Sequence, residues 1–579
     1  MIHYRIAIAN ANAHLYQVTL TIAAPAECQV LSLPVWIPGS YMVREFSRHL
    51  SGLKARQGQR EIAPRQVAKN RWELDCSGRA ALVLSYQVYA FDDSVRTAFL
   101  DAQRGFFNPT SLCLRAHGKE AQPHRLELAD LPEGWQVASA MARSADGEFE
   151  AADYDELVDH PFELGQFWRG EFQAAGVPHE FIVAGALPAF DGERLLRDSQ
   201  RICEAQIAFW HGPKGRPPMD RYVFMLNAVE DGYGGLEHRA STALIASRRD
   251  LPRLGQAETS DGYVKLLGLI SHEYFHTWNV KRLRPDVFAR YDYEQENYTE
   301  LLWFFEGFTS YYDDLFLLRS GLIDESRYLK LVGQTLGQVL SAPGRRQHSL
   351  AQSSFEAWTK YYRQDENTPN AVVSYYAKGA LLGMALDLSL RTQDRPGATL
   401  DELLRQLWRE SGGGPVSEGQ ILAAVSELGG AELAAKLQVW VHGTDDLPLP
   451  CLLEKLGVRW NCDKPGMAQR LGLRVSEGEG GLRVKQVLHG GAGLAAGLSV
   501  GDELLACNGW RVHKLDDLSL TLQPGSPRLL HLLVARQQRV LSLALELPSS
   551  DSQCAGISLS LQDKAPARAQ SLRRAWMAG

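Results

Sequence analysis

Two histidines four residues apart, His272 and His276, bound the stretch His-Glu-Tyr-Phe-His, with Glu273 directly after the first. On an α-helix, side chains at i and i+4 share one face about 5–6 Å apart, so both imidazoles can reach one zinc ion. Glu273 lies about 100° round the helix from His272, where a carboxylate flanks the metal and can take a proton from water. Two ligands leave a catalytic zinc site incomplete, because such sites use three protein groups and keep one position open. Glu306, in Trp-Phe-Phe-Glu-Gly-Phe, is the third candidate. A carboxylate beside three aromatic residues is costly to bury alone, and a divalent cation is a sufficient partner. Gly307 beside it would let the Glu306 helix approach the histidine helix closely. The set has the form of a peptide-hydrolysis site, in which the metal polarises the carbonyl and Glu273 moves a proton from water to the leaving amine. The charge that develops on the carbonyl oxygen needs a further donor. Ala-Val-Val-Ser-Tyr-Tyr-Ala-Lys-Gly offers Tyr375 and Tyr376.

His-Glu-Tyr-Phe-His followed by Glu-Gly-Phe-Thr-Ser-Tyr-Tyr resembles the gluzincin metallopeptidases. Tyr376-Ala377-Lys378-Gly379 is similar to the Tyr-x-Lys-Gly segment of the aminopeptidase N group. The resemblance implies a transition-state role for Tyr376, with Tyr375 as the fallback. Gly234-Gly235-Leu236-Glu237-His238 resembles the Gly-x-Met-Glu-Asn motif of the same group, with His238 in the asparagine position. This implies that Glu237 binds the substrate's free α-amine while Gly234 and Gly235 lie on an edge strand that pairs with the peptide. Both roles are physically sensible, since a carboxylate can fix a cationic terminus and an edge strand can bind an extended peptide. Trp36-Ile37-Pro38-Gly39-Ser40-Tyr41 and the run His276 to Arg282 extend the likeness to the glycyl aminopeptidase family, which the sequence resembles more closely still. That resemblance implies one Zn2+ per protein molecule and removal of small N-terminal residues, glycine and alanine foremost.

The elements that must position these residues can be read from periodicity. Residues 1 to about 170 alternate apolar and polar in short runs such as Tyr-Gln-Val-Thr-Leu-Thr-Ile, the pattern of an antiparallel β-sandwich. Gly-Tyr-Val-Lys-Leu-Leu-Gly-Leu-Ile-Ser-His is apolar on most faces and predicts a buried helix. Asn297-x-x-Glu300 predicts the cap of the next helix, which runs past Glu306 and stops at Gly321. After about 455 strands return, and Gly490 to Val512 resembles a PDZ core. Arg470-Leu471-Gly472-Leu473 is similar to the PDZ loop that holds a terminal carboxylate, which implies peptide binding at Leu471, Gly472 and Leu473.

The fold expectation is therefore a multidomain α+β protein. It comprises an N-terminal β-sandwich (1–175), a thermolysin-like mixed α/β and helical catalytic domain (176–455), a PDZ domain (456–548) and a loose C-terminal tail (549–579) with a docking helical turn. With 579 residues the sequence is too long for one apolar core, and its net charge of −7 argues against a nucleic-acid partner. No uninterrupted apolar run reaches the roughly 18 residues of a membrane span, and no secretory signal is visible, so a cytoplasmic location is expected. The eight cysteines form no C-x-x-C pair and read as mostly buried thiols. The partners implied are peptides with a free N-terminus and, at the PDZ domain, the C-terminus of a polypeptide. Two other readings share these residues: an inactive peptide-binding adaptor on a protease scaffold, and a zinc endopeptidase of the same clan.

Overall fold

The alternation in Leu15–Ile22 turns Tyr16, Val18, Leu20 and Ile22 inward and their neighbours outward, as a half-buried strand requires. This strand pairs antiparallel with Ile2–Asn10, in register Ile6 to Val18. Both belong to an eight-stranded sheet, and two four-stranded sheets complete the N-terminal β domain. One pair departs from the antiparallel expectation, because His124–Ala129 runs parallel to Ile2–Asn10. Tyr4, Tyr86 and Tyr154 donate their buried hydroxyls to the carbonyls of Leu114, Leu112 and Cys113 at 2.7, 2.7 and 2.9 Å. An irregular segment thereby crosses the core with its carbonyls satisfied.

The computed structural model describes every residue except 394, 479, 523–527 and 549–555. The described residues divide into two units, Met1–Asn297 with Gly413–Pro415, and Tyr298–Gly412 with Val416–Gly579.

After the N-terminal sheets, the first unit contains a five-stranded sheet. Its order is Trp168–Ala174, Val177–Ala184, Tyr222–Val229, Ser241–Ser247, Tyr233–Glu237. The central strand Tyr222–Val229 has parallel neighbours on both sides and is buried along almost its whole length, which its continuous apolar run reflects. Tyr233–Glu237 closes the sheet as an antiparallel edge, Gly235 opposite Leu244. The helix Asp261–Phe275 begins where the Ser260 hydroxyl accepts from the Tyr263 N–H, and it is buried on most faces as predicted.

The second unit holds the helices that follow. The expected helix start near Asn297 is not observed: the first turn begins at Leu302. The Asn297 amide instead donates to the carbonyls of Asp292 and Gln295 and accepts from the Asp292 N–H, so it braces a loop. The helix is interrupted at Glu306, between Leu302–Phe305 and Gly307–Arg319, and Gly321 ends it with a φ of 69°. Within this unit the bare face of Gly307 meets Gly379. A Cβ built on it would stand 2.5 Å from Gly379 Cα, so two glycines bring Gly307–Arg319 and Ala377–Arg391 into backbone contact.

The PDZ sheet follows the order Leu473–Ser476, Leu482–Val487, Glu503–Cys507, Leu529–Arg536, Arg539–Glu546. Before and after it run Val458–Cys462 and Ile557–Leu561, which pair with each other. The docking helical turn expected at the end of the tail is the helix Ala567–Ala578, about three turns long, whose Trp576 is fully buried and donates its indole N–H to Tyr311 Oη at 2.8 Å. Tyr311 passes a hydrogen bond to Asp387, and Arg391 bridges Asp387 and Asp401. Burial alone would raise the Asp401 carboxyl, but Arg319 and Arg391 hold it below the usual carboxylate range. The thiol expectation fails at Cys462, which is disulfide-bonded; Cys554 lies outside the described residues. Among the described residues no helix is long and apolar enough to cross a membrane.

Candidate active site

His272 and His276 fall on the last turn and C-cap of the helix Asp261–Phe275. The His276 Nδ1–H donates to the Asn279 carbonyl at 2.7 Å, which fixes the tautomer and leaves the lone pair on Nε2. That Nε2 stands 3.1 Å from His272 Nε2. Two nitrogens bound at 2.0–2.1 Å to one tetrahedral zinc lie about 3.3–3.4 Å apart, so the pair fits the ion.

The run after His276 is built to hold this geometry. Trp278 donates its indole N–H to His211 at 2.7 Å. Arg282 donates to the carbonyls of Thr277, Arg239 and Pro218, and burial lowers its pKa to about 10. Val280 has a φ of 142°, a conformation that a β-branched residue adopts only where its surroundings force it. Lys281 reaches Asp159, a residue of the N-terminal domain, at 2.7 Å. The same carboxylate accepts from the Arg239 backbone N–H at 3.0 Å and lies 3.4 Å from His238 Nδ1. Burial pushes the Asp159 carboxyl up, but Lys281, His238 and Arg239 outweigh it and hold the group well below the usual range. Nothing in the sequence singles out Asp159, whose partners come from segments far away along the backbone, and Lys281 stands out there only as part of a motif.

Glu237 ends the edge strand Tyr233–Glu237, and the turn His238 to Ser241 follows, closed by His238 N–H to Ser241 O at 2.9 Å. Its side chain is 4 % exposed. Ligand-type atoms of Glu237, Glu273 and His276 all lie within 4.8 Å of one another. Gly235 sits over the helix: a Cβ there would come 2.1 Å from Glu273 Oε1. Gly234, with a φ of 157°, has only Ile245 near its own Cβ position. Glu237, Gly235, Glu273 and the two histidines are therefore close neighbours in the first unit.

In the second unit, Glu306 is 3 % exposed at its helix break. Tyr375 is fully buried, and burial, then Tyr362 and Glu306, raise its pKa well above the ordinary tyrosine value. Tyr376 is half-buried, and its hydroxyl lies 3.1 Å from that of Tyr362. The Tyr361 ring lies tilted against both, with ring centroids 5.0 and 5.6 Å away. Tyr361 and Tyr362 went unnoticed in the sequence. They close a short π-helical stretch, Ala357–Tyr361, a form that recurs at functional sites. A second Tyr-Tyr pair upstream of the first was the available signal.

In the PDZ domain, Leu471 ends the helix Met467–Leu471, Gly472 caps it with a φ of 66°, and Leu473 opens the edge strand. Both leucine side chains are buried in the core. The Gly472 N–H donates to Gln469 O at 3.1 Å, and Gly472 lines a groove of about 520 Å³ with Trp460, Leu488 and Gly491. Asn370 ties this domain to the helices, donating to Val487 O at 2.9 Å and accepting from the His489 N–H at 2.8 Å.

Residues 3–166 match the Peptidase M61 N-terminal domain, residues 265–382 match M61 glycyl aminopeptidase, and residues 461–534 match the PDZ domain. A solved aminopeptidase N family protein from Idiomarina loihiensis is 38% identical, with a TM-score of 0.91 over 100% of both proteins. An M1 zinc metallopeptidase from Deinococcus radiodurans, solved with a Tyr-Ser-Ala substrate, is 17% identical with a TM-score of 0.48, over 78% of this protein and 95% of that one. Aminopeptidase A of Legionella pneumophila, in complex with aspartic acid, is 11% identical with a TM-score of 0.48, over 76% of this protein and 49% of that one. No curated protein matches the sequence. An N-terminal β domain, the catalytic segment and a PDZ domain follow one another in that order, and a relative is similar along the whole length; the protein belongs to the M61 glycyl aminopeptidase family of metallo-aminopeptidases.

Proposed function

We propose that the protein is a zinc-dependent aminopeptidase that removes small N-terminal residues from peptides. The observation that carries this reading is the Glu237 carboxylate. It is buried, it has no hydrogen-bond or ion-pair partner among the described residues, and it stands within 4.8 Å of Glu273 and His276. A buried carboxylate gains by receiving a cation, and the α-ammonium is the cation that an enzyme trimming from the N-terminus must recognise. The preference for glycine follows the family description, and alanine is the next smallest side chain.

His272, His276 and Glu306 would hold the zinc, which supplies Lewis-acid polarisation of the carbonyl and a more acidic water. Glu273 accepts the proton of the attacking water on its carboxylate and returns it to the leaving amine. Glu237 fixes the ammonium and so sets which peptide bond faces Glu273. The edge strand through Gly234 and Gly235 pairs with the substrate backbone. Tyr376 donates its hydroxyl to the carbonyl oxygen as charge develops; its partial exposure, against the full burial of Tyr375, supports that choice. The edge strand Leu473–Ser476 of the PDZ domain would add a peptide C-terminus as a further strand.

Zinc-loaded protein assayed on glycyl and alanyl anilides tests this. N-acetylation of the substrate should abolish cleavage, a chelator should remove activity, and Glu273→Gln should lower kcat by about 10²–10⁴. Undiminished cleavage of the acetylated substrate would instead make the protein an endopeptidase. Full activity in Glu273→Gln would remove the general-base assignment.

A further inference from the structure

Ile37-Pro38-Gly39-Ser40, in the N-terminal domain, forms a type II turn. The Ser40 N–H donates to the Ile37 carbonyl at 3.0 Å. Pro38 fills the position that wants a φ near −65°, and Gly39 has the left-handed φ of 86° that the next position demands. A side chain at Gly39 is excluded for a second reason. A Cβ built there would lie 2.6 and 2.7 Å from the two carboxylate oxygens of Glu237 and 2.7 Å from Leu236 Cδ1. The bare Cα of Gly39 is thus a wall against which the Glu237 carboxylate rests. The N-terminal domain reaches the same strand twice more. Arg96 Nη2 donates to the Gly235 carbonyl at 2.9 Å, and Leu236 belongs to the apolar core of that domain.

We propose that Gly39 is a positioning residue for the reaction. The Pro38-Gly39 turn fixes the Glu237 carboxylate where it meets the substrate ammonium, and Arg96 fixes the strand that carries it. The inference rests on the reading of Glu237 as the amine-binding group. It gives the N-terminal domain a part in substrate binding: a carboxylate held by backbone on one face has little freedom to swing away from the ammonium, and less ordering entropy is lost on binding.

A double-mutant cycle on the full-length, zinc-loaded enzyme with alanyl anilide decides it. Gly39→Ala should lower kcat/KM by roughly 10- to 100-fold, chiefly through KM, in the parent background. In a Glu237→Gln background the same substitution should cost less than about twofold. Equal losses in both backgrounds would show Gly39 to be a general structural residue and overturn the proposal, as would an unchanged KM in Gly39→Ala. If Glu237→Gln alone leaves KM unchanged, the amine-binding reading fails instead, and the two failures are distinguishable. Should Gly39→Ala not fold, Gly39→Asn carries the same cycle, because asparagine tolerates the left-handed backbone while still adding a Cβ.

Discussion

Gly235 and Glu273 stand so close that no Cβ could be added between them: at Gly235 it would sit 2.1 Å from one carboxylate oxygen and 2.3 Å from Cδ. The edge strand and the histidine helix touch at the residue assigned as general base. Gly235→Ala should therefore displace Glu273 and lower kcat by at least about tenfold. Gly234→Ala relieves no such contact, but its φ of 157° makes it a strain control. Steady-state kinetics beside thermal melts separate the two, and a Gly235→Ala enzyme with unchanged kcat would rule out this packing.

Tyr376→Phe should reduce kcat by about 10²–10³ with little effect on KM, as expected for a donor used mainly in the transition state. Tyr375→Phe removes a buried hydroxyl 3.5 Å from Tyr362 and should act on stability before it acts on kcat. Measuring kcat and melting temperature for both variants assigns the two roles, and a reversed pattern would exchange the tyrosines.

Acid should weaken the fold through buried neutral histidines. Burial lowers the pKa of His160 and of His179 to about 4. Unfolded, each titrates near 6.5, so between those values the unfolded state binds more protons. Their contribution is present in full above pH 6.5 and is lost as pH falls toward 4, up to about 3 kcal/mol for each. His179 donates to Val177 O and receives the hydroxyl of Tyr274. His179→Gln should flatten the slope of stability against pH in that window by about one proton. Denaturant titrations at several pH values report it, and an unaltered slope would mean that His179 is protonated in the native state.

Trp576→Ala should cost about 3–5 kcal/mol, since it empties a fully buried indole site and leaves Tyr311 without that donor. Asp401→Asn takes the carboxylate partner from Arg319 and one of two from Arg391, and should cost a similar amount. Chemical denaturation reads both directly, and losses below about 1 kcal/mol would show that the C-terminal helix is dispensable.

Local patterns were legible in the sequence wherever one segment carries its own explanation. The buried helix of His272 and His276 and the stop at Gly321 announce themselves through spacing or a glycine, whereas the edge strand ending at Glu237 is implied only by the resemblance of its motif. What escaped depends on partners distant in sequence. Asp159 is one acidic residue among many until Lys281 and the backbone of Arg239 close on it. Asn297 looked like a helix cap because Asn-x-x-Glu is a capping pattern, yet its amide is satisfied inside the preceding loop. Gly307 reads as a contact glycine, but nothing in the residues beside it points to Gly379 as a neighbour.

The pairing of Val458–Cys462 with Ile557–Leu561, followed by the docked helix at the C-terminus, also bears on how such a protein can be cut or recombined. The PDZ domain is an insertion, entered and left through adjacent strands, and the segment beyond it returns to the helices that precede it. A truncation that stops after the PDZ domain would strip Trp576 from Tyr311 and unfold more than it removes. Splicing strand to strand across the insertion would delete the domain and keep the bundle, which makes this junction the natural seam for trading one peptide-binding module for another.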